Sequence, residues 1–251
     1  MNLPGMTIVF DNDPGLPGFP TLWGFAAVIQ MPARIVLFDA GSNGRALLKN
    51  MAALDLPPES VDLLFLSHPH WDHIGGLDSF LEVNPRATVV VHEGFPRHLI
   101  RDLRNLPGEL IVVGAAPQPL APGLSSTGLL DSEPPEQALI LDFDGLTAAI
   151  GGCAHPGMER IVERARIFLD RKVDWVIGGF HLMYADAAAI ARSVAALQSL
   201  GVDYVVPTHC TGDEAEAAFR RAYGERCLMG GVGRRIDFTQ WRDRQGVVDA
   251  P

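Results

Sequence analysis

The stretch 63-LLFLSHPHWDHIGGL-77 decides how this chain is read. His68, His70, Asp72 and His73 crowd into six positions, between an apolar run and two glycines. Residues at i and i+2 of a segment leaving a strand point the same way, so His68 and His70 can share one ion. Asp72 and His73 follow where the chain is expected to turn into a helix opened by Ile74-Gly75-Gly76, and the turn can aim them at a second position. Imidazole and carboxylate donors suit zinc, and also iron or manganese. Two ions about 3.5–4 Å apart can hold a hydroxide or clamp a phosphoryl group.

A four-residue motif cannot complete two sites, so further ligands are expected from distant strand ends. Three segments repeat one layout: an apolar strand, a small or turn residue, then histidine. They are 151-GGCAHPG-157 with His155, 178-GGFHL-182 with His181, and 206-VPTHCTG-212 with His209. Loops at strand ends are where α/β folds place their chemistry. His92 and His98 lack this context and are expected to be structural and surface residues.

Outward from these motifs, short runs rich in Val, Ile, Leu and Phe read as strands at 6–10, 25–30, 34–39, 61–67, 87–92, 109–113, 137–143, 146–151, 173–178 and 203–207. Several are apolar at nearly every position, as strands buried on both faces are. Helical spacing appears in 157–170 and 186–200, and helices are also expected at 43–54, 74–83, 95–105 and 213–223. Asp213 with Glu216 reads as an N-cap pair. The Pro-, Gly- and Ser-rich stretch 114–137 reads as loops around one short strand. The sum is a mixed α/β fold, taken as a single domain over 1–251.

The formal net charge of the 251-residue chain is −10, which argues against a general phosphate-backbone binder and so against a nucleic-acid partner. No apolar run approaches the roughly 20 residues of a membrane span. The N-terminal residues lack a signal-peptide layout. The cysteines, Cys153, Cys210 and Cys227, are too few and odd in number for a disulfide framework. A reduced, cytoplasmic protein is the expectation. Oligomeric state does not follow from the sequence.

Taken with its neighbours, the H-x-H-x-D-H signature resembles that of the metallo-β-lactamase superfamily. The run 36-VLFDAG-41 is similar to its strand ending in Asp-x-Gly, and 205-VVPTHC-210 to its late histidine motif. The tokens GCAHPG, GGFHL, PTHCTG and 230-GGVGRRIDF-238 resemble one branch, which contains 7,8-dihydropterin-6-methyl-4-(β-D-ribofuranosyl)aminobenzene-5′-phosphate synthase and related hydrolase-like proteins. The likeness runs from about Phe25 to Phe238. It implies an αββα sandwich, two mixed β-sheets flanked by helices, with metals at one edge of the sheets. It also implies that Asp39 orients the histidine loop from behind. Two departures stand out. The usual middle His is missing before the hairpin 137–151, and Cys153 stands where a bridging Asp is expected. Cys153 could ligate as a thiolate, His155 could replace the lost ligand, or Cys153 could simply be packed; His155 is the preferred replacement.

The chemistry expected is metal-dependent hydrolysis of an ester, lactone, amide or phosphoester, with metal ligands His68, His70, Asp72, His73, His155 and His209. Asp72 would orient the hydroxide or bind a second ion, and His181 would donate a proton or hydrogen bond. One or two zinc ions are expected. An alternative is transfer to a dihydropterin-like substrate with release of diphosphate; another is a non-enzymatic metal-binding protein. The substrate is expected to be a small molecule, phosphorylated or pterin-like. Trp71, with Trp23, Phe25 and Phe180, could offer a stacking face. Arg97, Arg101 and Arg104 fall on one helical face and could hold a phosphate, as could Arg234 or Arg235 in the turn into a final strand.

Overall fold

Alternate residues of the apolar strands divide between two hydrophobic layers, and that division builds the sandwich. In the computed structural model, which describes residues 5–106 and 108–238, strands β1 (Gly5–Phe10), β2 (Ala26–Met31), β3 (Arg34–Phe38), β4 (Leu63–Phe65), β5 (Thr88–His92) and β6 (Leu110–Val113) lie side by side. A second sheet takes β7 (Gln118–Ala121), β8 (Leu124–Ser126), β9 (Leu139–Phe143), β10 (Leu146–Gly151), β11 (Trp175–Gly179) and β12 (Tyr204–Thr208). The last strand, β13 (Arg235–Asp237), pairs antiparallel with β1 and edges the first sheet. Both sheets are mixed: β3 to β6 run parallel, as do β10 to β12, and the remaining pairings are antiparallel.

Val36 and Phe38 of β3, Leu63 and Phe65 of β4, Ile150 of β10 and Ile177 of β11 fill one layer between the sheets. Their sequence neighbours Leu37 and Leu64 face outward into a second cluster, under α1 (Gly44–Ala53), α3 (Leu77–Val83) and α4 (Arg97–Leu103). Ala149, Val176 and Val205 face a third, under α5 (Met158–Leu169), α6 (Ala187–Ser199) and α7 (Asp213–Tyr223). The central strands are therefore apolar on both sides, which is why the sequence shows runs rather than alternation. The expected αββα sandwich is the observed one.

Three local expectations need correction. The segment 114–137 holds two short strands, β7 and β8, paired antiparallel, rather than one. The helix expected over 74–83 is broken: a single turn, α2 (Trp71–Ile74), precedes α3. A Cβ on Gly76 would lie 2.2 Å from the Ala40 carbonyl oxygen, so the break is where two backbone segments touch. Asp213 is the first residue of α7, not its cap. The cap is Gly212 at φ +82°, where a Cβ would meet the Met183 backbone at 2.7 Å.

Candidate metal centre

The parallel strands deliver their C-terminal ends to one edge of the sandwich, and the candidate residues gather there. Asp39 follows β3, residues 67–73 follow β4, Cys153 and His155 follow β10, His181 follows β11, and His209 follows β12. Asp39, Ala154, His181 and His209 adopt left-handed backbone conformations, at φ +53° to +56°. Non-glycine residues seldom do so, and such positions concentrate at functional sites.

Two sets of three donors face each other. In one, His68, His70 and His155 bring ligand atoms within 4.8 Å of one another; in the other, Asp72, His73 and His209 do. The pairs His68 Nε2–His70 Nδ1 and His73 Nε2–His209 Nε2 are each 3.2 Å apart. Two nitrogens on one tetrahedral zinc, each at about 2.0–2.1 Å, sit about 3.3 Å apart, so the spacing fits. Asp72 Oδ2 lies 3.6 Å from His73 Nε2 and 3.5 Å from His209 Nε2.

The outward nitrogens explain what the inward ones present. His73 Nδ1 meets Asp39 Oδ2 at 2.7 Å, and a carboxylate can only accept. Asn12 donates from Nδ2 to the His209 carbonyl at 3.0 Å, which turns its Oδ1 toward His209 Nδ1 at 2.6 Å. His155 Nδ1 meets Glu136 Oε2 at 2.8 Å. The Ser67 hydroxyl donates to Asp39 Oδ2, which leaves its oxygen to accept from His68 Nδ1 at 2.9 Å. This bonding assigns each neutral ring the tautomer whose inward nitrogen carries a lone pair. His73 and His209 then turn two lone pairs on each other at 3.2 Å, an arrangement that needs a cation or a proton between them. Carboxylates behind metal-binding imidazoles are the usual means of fixing such rings.

Charge follows the same layout. Burial, and then the neighbouring imidazoles, push His68 well below the ordinary histidine range, so it stays neutral. Burial and His155 push His70 down as well. Burial lowers His73 too, but the Asp39 carboxylate outweighs it and the net shift is upward. Burial raises Asp72, yet hydrogen bonding from His209 and the charge of His73 bring it down to about 2. Burial likewise raises Glu136 and the His155 hydrogen bond reverses this, so its carboxyl is lowered.

Glu136 is the residue sequence reasoning missed. It is fully buried and accepts from the backbone N–H groups of Gly152, Cys153, Ala154 and His155 as well as the His155 ring. It therefore carries the whole turn 152–155. Its only sequence signal was its place as one of three acids, with Asp131 and Glu133, in the Pro-rich stretch before Gln137. Asn12 was missed too, inside the polar run 10-FDNDPG-15.

Cys153 and His155 take different places. His155 joins His68 and His70 in one set of donors. Cys153 Sγ lies 3.2 Å from His73 Nε2 and 3.4 Å from His209 Nε2, facing the other set. A Cβ on Gly152 would lie 2.2 Å from Ser67 Oγ and 3.0 Å from Asp39 Oδ2, so only glycine lets this turn approach the histidine loop. His181 stands outside both sets, its ring centroid 4.6 Å from that of His155. His92 is buried and accepts from Gly94 N–H, outside the two sets.

Of the candidate substrate contacts, Trp71 is 62% exposed beside the centre and Trp23 lies 5.0 Å from the His209 ring, half exposed. Phe25 and Phe180 are buried in the core. Arg97, Arg101 and Arg104 are exposed on or just after α4, and Arg101 bonds its neighbour Asp102; the structure does not bring them into the centre. Arg234 and Arg235 are exposed at the start of β13. Two clefts do adjoin it. One, of about 320 Å³, is lined by Trp23, His181, Met183, Tyr184 and Cys210. The other, of about 380 Å³, runs from His155 and His181 to Glu159 and Arg192.

An αββα sandwich with this donor set at one sheet edge defines a class, and the chain belongs to the metallo-β-lactamase superfamily, whose family model matches residues 24–209. Within it, the chain is similar to 7,8-dihydropterin-6-methyl-4-(beta-D-ribofuranosyl)-aminobenzene-5′-phosphate synthase of Methanocaldococcus jannaschii. Identity is 29% over 248 residues, covering 81% of this chain and 84% of the relative. In fold it is similar to a metal-dependent hydrolase of the beta-lactamase superfamily, at TM-score 0.73 and 24% identity over 93% of this chain and 98% of that one. It is also similar to the metallo-beta-lactamase fold protein YhfI of Bacillus subtilis, at TM-score 0.70 and 15% identity over 94% and 100%. Among the described residues, no helix is long and apolar enough to cross a membrane.

Proposed function

We propose that the chain is a single-domain, metal-dependent hydrolase that acts on an ester, lactone or phosphoester of a small molecule. The observation that supports this best is the pair of inward lone pairs on His73 and His209, facing the His68, His70 and His155 set, with the outward nitrogens of His68, His73, His155 and His209 tied. The donors suit zinc first, then iron or manganese, as one or two ions. A divalent ion there would act as a Lewis acid and bring the pKa of bound water down to about 7. His68, His70 and His155 would hold one ion, and Asp72, His73 and His209 the other, with Cys153 turned to the second.

The chain's own groups would do the rest. Asp72 stays ionised and orients the attacking oxygen. His181 is raised above the ordinary histidine range, first by its hydrogen bond with Cys210 and against the effect of burial. It can therefore hold a proton near neutral pH for the leaving group. The cleft between Trp23 and Tyr184 would take an apolar or flat part of the substrate, and Arg192 an anionic part. The free cysteines suit a reduced, cytoplasmic setting.

A second reading has one specific support, the likeness to the dihydropterin synthase. In it the same donors would steady a departing diphosphate while a second substrate attacks. The test is elemental analysis of protein purified without chelators or a His tag, followed by assay on simple esters, lactones and phosphodiesters. Bound metal with turnover in water is the expected result. Diphosphate release only with a second substrate would favour transfer. Bound metal with no turnover on either panel would return the chain to the non-enzymatic reading.

A further inference from the structure

Two of the chain's cysteines meet at the centre. Cys153 and Cys210 are both buried, 4% and 7% exposed, and both free. Their sulfurs and a His209 nitrogen lie within 4.8 Å of one another. Cys210 Sγ also reaches the Cys153 carbonyl at 3.5 Å. The gap between them is kept open by Gly179: a Cβ there would lie 2.5 Å from Cys210 Sγ and 3.3 Å from Cys153 Cα. Any other residue would press its Cβ against both cysteines. The same Cys153 sulfur faces His73 and His209. Exposed His70 and His181 leave the centre open to small solutes.

We propose that Cys153 and Cys210 form a dithiol oxidised by a peroxide, and that the resulting disulfide takes Cys153 out of the metal centre. The chemistry balances without the metal. One sulfur attacks the peroxide oxygen and becomes a sulfenic acid as one water leaves. The second sulfur then displaces the hydroxyl as another water and the S–S bond forms, so two thiols lose two hydrogens and hydrogen peroxide is reduced to two waters. A sulfur in a disulfide has lost the thiolate charge with which it would ligate. Cys227 lies outside these groups and serves as the internal control.

The loss of metal rests on the metal-centre reading above; the disulfide itself does not. Metal content of the reduced protein is therefore measured first, which tests that reading alone. The metal-loaded protein is then treated with hydrogen peroxide, released metal is followed with a chromogenic chelator, and peptides are mapped without reduction. The expected result is a linked Cys153–Cys210 peptide, about 2 Da lighter than its two parts, formed in step with metal release and reversed by dithiothreitol. Cys210→Ser should give no linked peptide and keep its metal at the same dose. A missing link, Cys153 sulfinic acid in its place, a linked peptide with full metal retention, or equal metal release from Cys210→Ser would each overturn the proposal. The wild-type mapping stands even where the variant does not fold.

Discussion

The two halves of the centre are built by different means. His68, His70, Asp72 and His73 come from one short run at the end of β4, the first two before and the last two within a single helical turn. His155 and His209 come from separate strand ends, and each is held by a partner far away in sequence. Glu136 steadies His155 from 19 residues off, and Asn12 steadies His209 from 197. The contiguous motif also leans on Asp39, 34 residues before His73, but its four donors share one backbone segment, whereas each dispersed ligand depends on its own separate support. The dispersed half should therefore break first when that support is removed.

The largest effect is expected from Glu136→Ala. It leaves the N–H groups of residues 152–155 without their acceptor in a buried site, and removing one partner of a buried charged network costs about 3–5 kcal/mol. Glu136→Gln keeps an acceptor and should cost less. Chemical denaturation of both, free of metal, checks this. Equal stability of Glu136→Ala and wild type would show that the turn holds itself.

Next in size is metal content. His68→Ala and His209→Ala should lose bound metal with the fold largely intact by circular dichroism. His155→Ala should lose one ion of two. Asn12→Ala, which removes the bonds behind His209 and one to Asp13, should weaken binding about 10–100-fold. Full metal retention in both His68→Ala and His209→Ala would end the assignment of the centre.

What was legible in the sequence follows this same division. The apolar strands showed as runs because both faces are covered, and the histidines showed because each follows such a run. Glu136 and Asn12 did not show, since nothing local marks them. Their importance arises only where β10 and β12 bring residues 155 and 209 beside loops from elsewhere in the chain. The place of Cys153 was open for the same reason: sequence puts it two residues from His155, but only the folded turn 152–155 shows its sulfur beside the His73 and His209 rings. Asp213 misled because a capping pattern cannot reveal that Gly212 must pass the Met183 backbone.

A pH titration divides the centre the other way, between the two donor sets. His68 and His70 are lowered by burial and by neighbouring imidazoles, so they stay unprotonated as the pH falls and protons compete poorly there. His73 is raised because Asp39 outweighs burial, so a proton competes for its inward nitrogen better than at His68 or His70. Acidification from about pH 7 to 5 should release the ion of the Asp72, His73 and His209 set first. Stepwise dialysis with metal analysis reads this as two separate losses, the earlier one missing in His209→Ala. Simultaneous loss would mean that the two sets bind as one unit.

The smallest effect is expected at Arg101, and it bears on where the substrate lies. Its side chain is 73% exposed and bonds its sequence neighbour Asp102, a contact worth little in water. Arg101→Ala should shift stability by no more than about 0.5 kcal/mol and leave KM unchanged for any substrate that turns over. Arg192 lines the cleft that begins at His155 and His181, so Arg192→Ala should raise KM for an anionic substrate while kcat holds. Because the two arginines carry the same charge on opposite layers of the sandwich, the pair controls for net charge. A rise in KM for Arg101→Ala with none for Arg192→Ala would move the anion handle to α4 and restore the arginine face that the sequence alone suggested.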